Sequence, residues 1–181
     1  QTCALPISQE RTIVEKAYPG DIIGVFDPGI FGIGDSLSDE KMKVQFEDFP
    51  VFPPEIFARV QPKDSLKRKQ FVKGITQLAQ EGAIQVFEQK DIGIESFIVG
   101  VVGVLQLEVL EYRLINEYSA QLLMNQLAYT VARWVYAEDK KLIDNIKGLD
   151  SGMLVYDQKD RPVILVNNEW SLNWILERNP G

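Results

Sequence analysis

The chain has 181 residues, 45% of them hydrophobic, with a formal net charge of −7, one cysteine (Cys3) and no histidine. Such a chain can bury a core, but it cannot form an internal disulfide, the usual nitrogen and sulfur ligand set of structural zinc, or any catalytic arrangement built on histidine. Its longest apolar run, Phe97 to Leu105, is interrupted by Gly100 and Gly103 and falls short of the roughly 20 residues that a spanning helix needs. No basic-then-apolar leader opens the chain, so the expectation is a cytoplasmic protein with no membrane partner.

Residues 1–8 fit nothing downstream. They read as a non-native leader, the translation of a joined adapter sequence, and are set aside from the fold. Residues 9–48 hold short β runs, Thr12-Ile13-Val14, Ile22 to Phe26, Ile30 to Asp35 and Lys43 to Phe46, separated by the turn chemistry of Tyr18-Pro19-Gly20-Asp21 and Asp27-Pro28-Gly29. So few strands cannot close a sheet without leaving open edges. They are expected to be the end of an incomplete β-barrel, which makes the chain the carboxy-terminal part of a larger protein. A proline-rich stretch, 49–54, reads as a semi-rigid linker and candidate pivot.

From residue 55 to 181, strands and helices alternate. A strand is predicted over Glu55 to Val60, then a helix capped by Asp64 or Ser65 with Leu66, Val72, Ile75, Leu78 and Ala79 on its apolar face, ending at Gly82. Strands over Ala83 to Glu88 and Glu95 to Val102 follow, the second central because it is the more apolar. Gly103 opens a second helix carrying Leu107, Leu110, Leu114 and Tyr118 on one face, and a long strand region, Gln126 to Tyr136, closes the order. The prediction is an α+β fold: a ferredoxin-like split β-α-β domain with both helices on one side of an antiparallel sheet. A C-terminal α/β extension adds a helix near Asp139 to Lys147, strands at Met153 to Tyr156 and Val163 to Val166, and a helix over Asn168 to Asn179.

The motifs point away from local chemistry. Asp21-Ile22-Ile23-Gly24 has the form Asp-x-x-Gly but sits behind a Pro-Gly turn, and no Gly-x-x-x-x-Gly-Lys-Ser/Thr loop occurs. Gly100 and Gly103 lack the third glycine of a dinucleotide fingerprint and read as the glycines of a tight strand-to-helix turn. Glu108, Glu111 and Glu117 read as a solvated helix face. Trp170 and Trp174, four apart, are expected in a core or an interface, with base stacking as the alternative reading of these and Trp134. No catalytic, cofactor-binding or metal-binding residue is assigned. One run opposes the overall acidity: Arg59, Lys63, Lys67, Arg68, Lys69 and Lys73 face the single acid Asp64. Lys67, Arg68, Lys69 and Lys73 read as a solvated basic helix face, with RNA contact as the alternative reading.

Phe97-Ile98-Val99-Gly100-Val101-Val102-Gly103-Val104-Leu105-Gln106-Leu107-Glu108 and Ala128-Tyr129-Thr130-Val131-Ala132-Arg133-Trp134-Val135 together resemble the third domain of the bacterial peptide chain release factor 3 family of translational GTPases. Glu81 to Phe87 matches as well. Tyr18 to Gly24 and Ile33 to Leu37 look like the end of that family's barrel domain, so the resemblance runs from about Arg11 to Asn179. Elongation factor G is the nearest alternative. It has Glu-Leu-His where this chain has Val104-Leu105-Gln106, and it continues into two further domains. What the resemblance implies is a parent that uses GTP, with Mg, in an amino-terminal domain. That parent would work on the ribosome, with its RNA and protein as partners, and would help class-I release factors to leave. This chain would supply ribosome contact and coupling to its own GTPase domain; the family's motifs do not single out Lys67, Arg68, Lys69 and Lys73, which become candidate ribosome contacts. A stand-alone ligand-sensing ferredoxin-like domain is the alternative of a different class, and an independent enzyme is a third.

Overall fold

The computed structural model describes residues 3–4, 13–27, 30–39, 41, 44–47, 52–90, 96–138, 140–143 and 145–179. The chain forms two compact units, Gln1–Asp48 and Phe49–Gly181. Most of the leader, Pro28-Gly29, Lys43, residues 49–51 of the proline-rich stretch, Glu95 and Asp139 lie outside the described residues.

In the first unit β1 (Cys3–Ala4) pairs antiparallel with both β2 (Ile13–Val14) and β3 (Gly24–Val25). Two residues of the segment set aside as a leader therefore hold the middle of this small sheet. The turn at Tyr18 is built as its sequence dictates: Gly20 takes φ +98°, and the Asp21 carboxylate accepts the Tyr18 amide at 2.8 Å. Gly32-Ile33-Gly34-Asp35 repeats this construction, with Gly34 at φ +94° and the Asp35 carboxylate accepting the Gly32 amide at 2.7 Å. The run Ile30 to Asp35 thus contains a turn where a strand was expected, because an Asp side chain that closes onto the chain competes with ladder pairing. Val44 to Phe46 is not a strand either, although the Ser36 hydroxyl accepts the Phe46 amide at 3.0 Å. Ile13, Ile22, Phe26, Ile30, Ile33 and Phe46 are all exposed, as expected of strands too few to enclose a core.

The second unit contains β4 (Ile56–Pro62), α1 (Arg68–Gln80), β5 (Gln85–Glu88), β6 (Phe97–Val101), α2 (Val104–Tyr118) and β7 (Leu122–Leu127). The order β7-β4-β6-β5, antiparallel throughout, is the split β-α-β arrangement. Alternation along the strands sorts the side chains. Ala58 and Val60 of β4, Val86 of β5, and Phe97, Val99 and Val101 of β6 pack under both helices, against Phe71, Ile75 and Leu78 of α1 and Leu107, Leu110 and Leu114 of α2. β6, buried along its whole length, is central as its composition predicts.

The predicted strand Gln126 to Tyr136 is two strands. β7 starts earlier, at Leu122, and β8 (Val131–Trp134) joins the opposite end of the sheet. After β8 the chain continues through α3 (Lys140–Ile143), β9 (Gly152–Asp157) and β10 (Pro162–Val166), and the full sheet order is β7-β4-β6-β5-β9-β10-β8. The two edge strands are joined by residues 128–130, a link that spans at most about 14 Å. The sheet must therefore curl. Its inner face encloses Phe57, Phe87, Ile98, Val155, Val163 and Leu165, with Leu127, Tyr129, Ala132 and Met153 packed against them. The connection is pinned by Thr130, whose amide bonds Val166 O at 3.1 Å and whose hydroxyl bonds Asn167 O at 2.8 Å. Finally α4 (Glu169–Arg178), capped by Asn168, lays Leu172 and Ile175 on Ile164 and Val166.

Candidate nucleic-acid interface

Asp64 caps a short 3-10 turn, Ser65–Lys67, by accepting the Leu66 amide at 2.9 Å, and α1 continues from Arg68. The turn rotates Leu66 out of the predicted apolar face, where it is 86% exposed. Once α1 buries Phe71, Gly74, Ile75 and Leu78, its 3.6-residue period turns Lys69 and Lys73 outward, one turn apart. Both are exposed, while Lys67 and Arg68 are half-buried beside them and Lys63 is exposed just upstream. Lys67, Lys69 and Lys73 pair with no described carboxylate. Arg59 leaves the cluster: it lies on the other face of β4, where its guanidinium reaches Gln89 Oε1 at 3.3 Å.

This placement opposes the helix field. α1 has no acidic residue in its first turn, and the positive end of the backbone dipole lies where Lys67, Arg68 and Lys69 gather. Cations there cost stability rather than adding it, so the cluster is not explained by the folding of α1.

The two glycines separate in role. Gly100 lies inside β6, where a Cβ would sit 2.9 Å from Pro54 Cβ and 3.0 Å from Phe87 Cε2. Its need is for close packing between neighbours, and the turn belongs to Gly103 alone. Gly103 is the N-cap of α2 at φ −142°, a backbone open to any residue, with nothing within 4 Å of an added Cβ. The amides of this turn are already satisfied. Gln106 Oε1 accepts Val102 N at 2.8 Å and Gly103 N at 3.1 Å, and its Nε2 donates to Ala83 O at 3.2 Å. A side chain thus engages the amides of Val102 and Gly103. Gln106 is a structural residue that pattern reading missed; the signal was an N3 glutamine behind an N-cap. Asp21 likewise spends its carboxylate on the Tyr18 turn. Asp21 and the Gly103 turn are engaged in local hydrogen bonds, and no group of three or more His, Cys, Asp or Glu among the described residues could hold a metal ion. Among the described residues, no helix is long and apolar enough to cross a membrane.

The tryptophans do not enter a core. Trp170, 72% exposed, stacks on Trp174 with centroids 5.9 Å apart, and the Arg178 guanidinium covers the Trp174 ring at 3.8 Å. Trp134 donates its indole N–H to Asp157 Oδ2 at 3.0 Å. Asp157 also accepts the amides of Lys159 and Arg161, both at 2.9 Å, and Arg161 Nε at 2.7 Å. Burial works against this carboxylate, but these bonds outweigh it and hold its pKa below the ordinary aspartate range. A group depressed in the folded state stabilises above its unfolded pKa, about 3.9, and that contribution is lost as pH falls through the folded value. Asp157→Asn is therefore expected to lower stability at neutral pH by about 1–3 kcal/mol and to flatten the acid limb below about pH 4. Urea unfolding followed by tryptophan fluorescence at several pH values measures both effects. Arg113 of α2 donates to Glu117 on the same helix and to Glu81 at the end of α1, which raises the arginine pKa further, and the Glu117 carboxyl is lowered by its bond to Arg113.

Fold and surface together define a ferredoxin-like α+β domain that presents a cationic helix. The chain belongs to the family described as "Class II release factor RF3, C-terminal domain", which matches residues 46–176. It is 48% identical over 175 residues to the peptide chain release factor 3 of Symbiobacterium thermophilum, covering 97% of this chain and 33% of that protein. The release factors 3 of Listeria welshimeri and Enterococcus faecalis are 42% and 41% identical over 174 residues, covering 96% of this chain and 32% of theirs. The chain thus spans about a third of the length of these curated relatives. Among solved structures, the Thermus thermophilus protein ttk003000868 superposes with a TM-score of 0.51 at 18% identity, over 68% of this chain and 19% of that one, a likeness of fold.

Proposed function

We propose that this chain works as the non-catalytic, carboxy-terminal third of a release-factor-3-type translational GTPase, contacting the ribosome and coupling that contact to a GTPase domain elsewhere in the parent. GTP and Mg belong to that other domain. The parent's action is to help class-I release factors leave the ribosome in the cytoplasm. The proposed division is an end-of-barrel segment at 9–48, a linker at 49–54 and the release-factor domain at 55–181. The observation that carries the contact role is the set Lys67, Lys69 and Lys73, without described carboxylate partners on an acidic chain, the first two placed against the dipole of α1. Lys69 and Lys73, outward one turn apart with Lys67 half-buried beside them, suit ribosomal RNA phosphates.

Changing Lys67, Arg68, Lys69 and Lys73 together to alanine tests this. Ribosome pelleting over a salt series is expected to show affinity reduced about tenfold or more near 0.1 M salt, with the log–log salt slope shallower by about 3. An unchanged slope removes these residues from the interface.

A further inference from the structure

The curled sheet is polar at one end of its inner face. Arg59 of β4 stands opposite Ile98 of β6, whose side chain enters the enclosed cluster, and alternation along β6 sets Ser96 on that same face, diagonal to Arg59. The register that pairs Glu88 with Phe97 then brings Gln89 beside Ser96. Two of these side chains are underpaired for their burial. The half-buried Arg59 guanidinium carries several N–H donors in a planar fork, yet its described partners are neutral: Gln89 Oε1 at 3.3 Å and Met153 Sδ, a weak acceptor, at 3.9 Å. Ser96 is 9% exposed, and its buried hydroxyl has no hydrogen-bond partner.

An unpaired buried hydroxyl and a half-buried cation without a counter-charge both cost stability, so the folding of the sheet explains neither. The described carboxylates nearby are committed elsewhere: Glu88 alternates to the face opposite Gln89, and Asp157 is held by Trp134 and Arg161. What the three polar side chains have in common is donors. Arg59 can only donate, Ser96 can donate its O–H, and Gln89, whose oxygen accepts from Arg59, has its amide hydrogens to give. The group that completes them is an acceptor with one negative charge and two oxygens matched to the guanidinium fork. A phosphate dianion would bring a second charge, and the next cation along the chain, Lys90, is engaged by Asp160 and the Tyr156 ring. We propose that Arg59, Gln89 and Ser96 form a binding site for a single carboxylate group.

The test follows the arginine Nε–Hε resonances of the isotope-labelled 181-residue chain as sodium acetate replaces sodium chloride at constant ionic strength. Inorganic phosphate and a capped Ala-Glu-Ala tripeptide are the comparison probes. Acetate is expected to shift the Arg59 resonance saturably, with a midpoint of about 10 mM or lower, while Arg133 and Arg161 do not saturate. Ser96→Ala should weaken acetate about fivefold without lowering the melting temperature of the free chain, because the hydroxyl it removes has no partner. Arg59→Lys should weaken it about tenfold or more with circular dichroism unchanged, since an ammonium lacks the fork. Tripeptide binding as tight as acetate assigns the carboxylate to a protein side chain, and acetate binding alone assigns it to a small acid; either result supports the site. Phosphate binding more tightly than acetate, an Arg59 shift no larger than that of Arg133, or unchanged acetate binding by Ser96→Ala overturns the proposal. No ribosome enters this measurement, so its failure is separable from failure of the ribosome-contact reading.

Discussion

Leu114→Ala is expected to lower the free energy of unfolding by about 3–5 kcal/mol. Leu114 has no exposed surface and lies where α2 meets α1 above the sheet, in the cluster that includes Phe71, Ile75 and Val99. The helices are close there. A Cβ on Gly74 of α1 would come within 2.5 Å of Leu114 Cδ2, so the vacated space is bounded by two fixed backbones and collapses poorly. The loss therefore combines the transfer term with a retained cavity. Urea unfolding reports it directly, since Trp134, Trp170 and Trp174 all lie in the second unit.

The second large effect separates two glycines that look equivalent in the sequence. Gly100→Ala should destabilise the fold by about 1–3 kcal/mol, because Pro54 and the Phe87 ring occupy the space its methyl needs, and neither is the free end of a flexible chain. Gly103→Ser should change stability by no more than about 0.5 kcal/mol, since its backbone is extended, its surroundings are open and serine is a good N-cap. A matched pair of denaturation curves checks the contrast. Equal losses at both positions would mean that the pair acts as one turn, as the sequence alone suggests.

Much of the second unit was legible because its local signals agree with its tertiary structure. Leu107, Leu110 and Leu114 keep helical spacing behind Gly103, Gly82 stops α1 at φ +69°, and Phe97 to Val101 reads as a buried central strand. The β7–β8 break at residues 128–130 was not legible. From Leu127 to Tyr136 the run is apolar except at Thr130 and Arg133, with no glycine, proline or other turn residue to mark a break, and only pairing with β10 and the Thr130 bonds to Val166 and Asn167 show that the strand has changed partners. For Trp170 and Trp174, expected in a core or an interface, the core is excluded for a related reason. Their spacing of four places them on one face, but Leu172 and Ile175 take the core, and the period of a short helix does not say which face will be buried.

The cationic cluster could be found in the sequence, yet its true membership could not. Arg59 is close to Lys63 in sequence but lies on the other face of β4, and only the strand register shows this. The apolar outer face of α2 was passed over. Glu108, Glu111 and Glu117 suggested a solvated face, and Leu105, Val109 and Tyr112, exposed opposite Leu107, Leu110 and Leu114, were not singled out although the same helical spacing places them there.

Lysine-selective acylation of the chain bound to purified ribosomes, read by mass spectrometry against the free chain, tests the central claim most directly. The proposed contact predicts that Lys67, Lys69 and Lys73 become protected on binding while Lys159, exposed in the β9–β10 turn, keeps its reactivity. Protection of Lys159 with Lys67, Lys69 and Lys73 still fully reactive would contradict it.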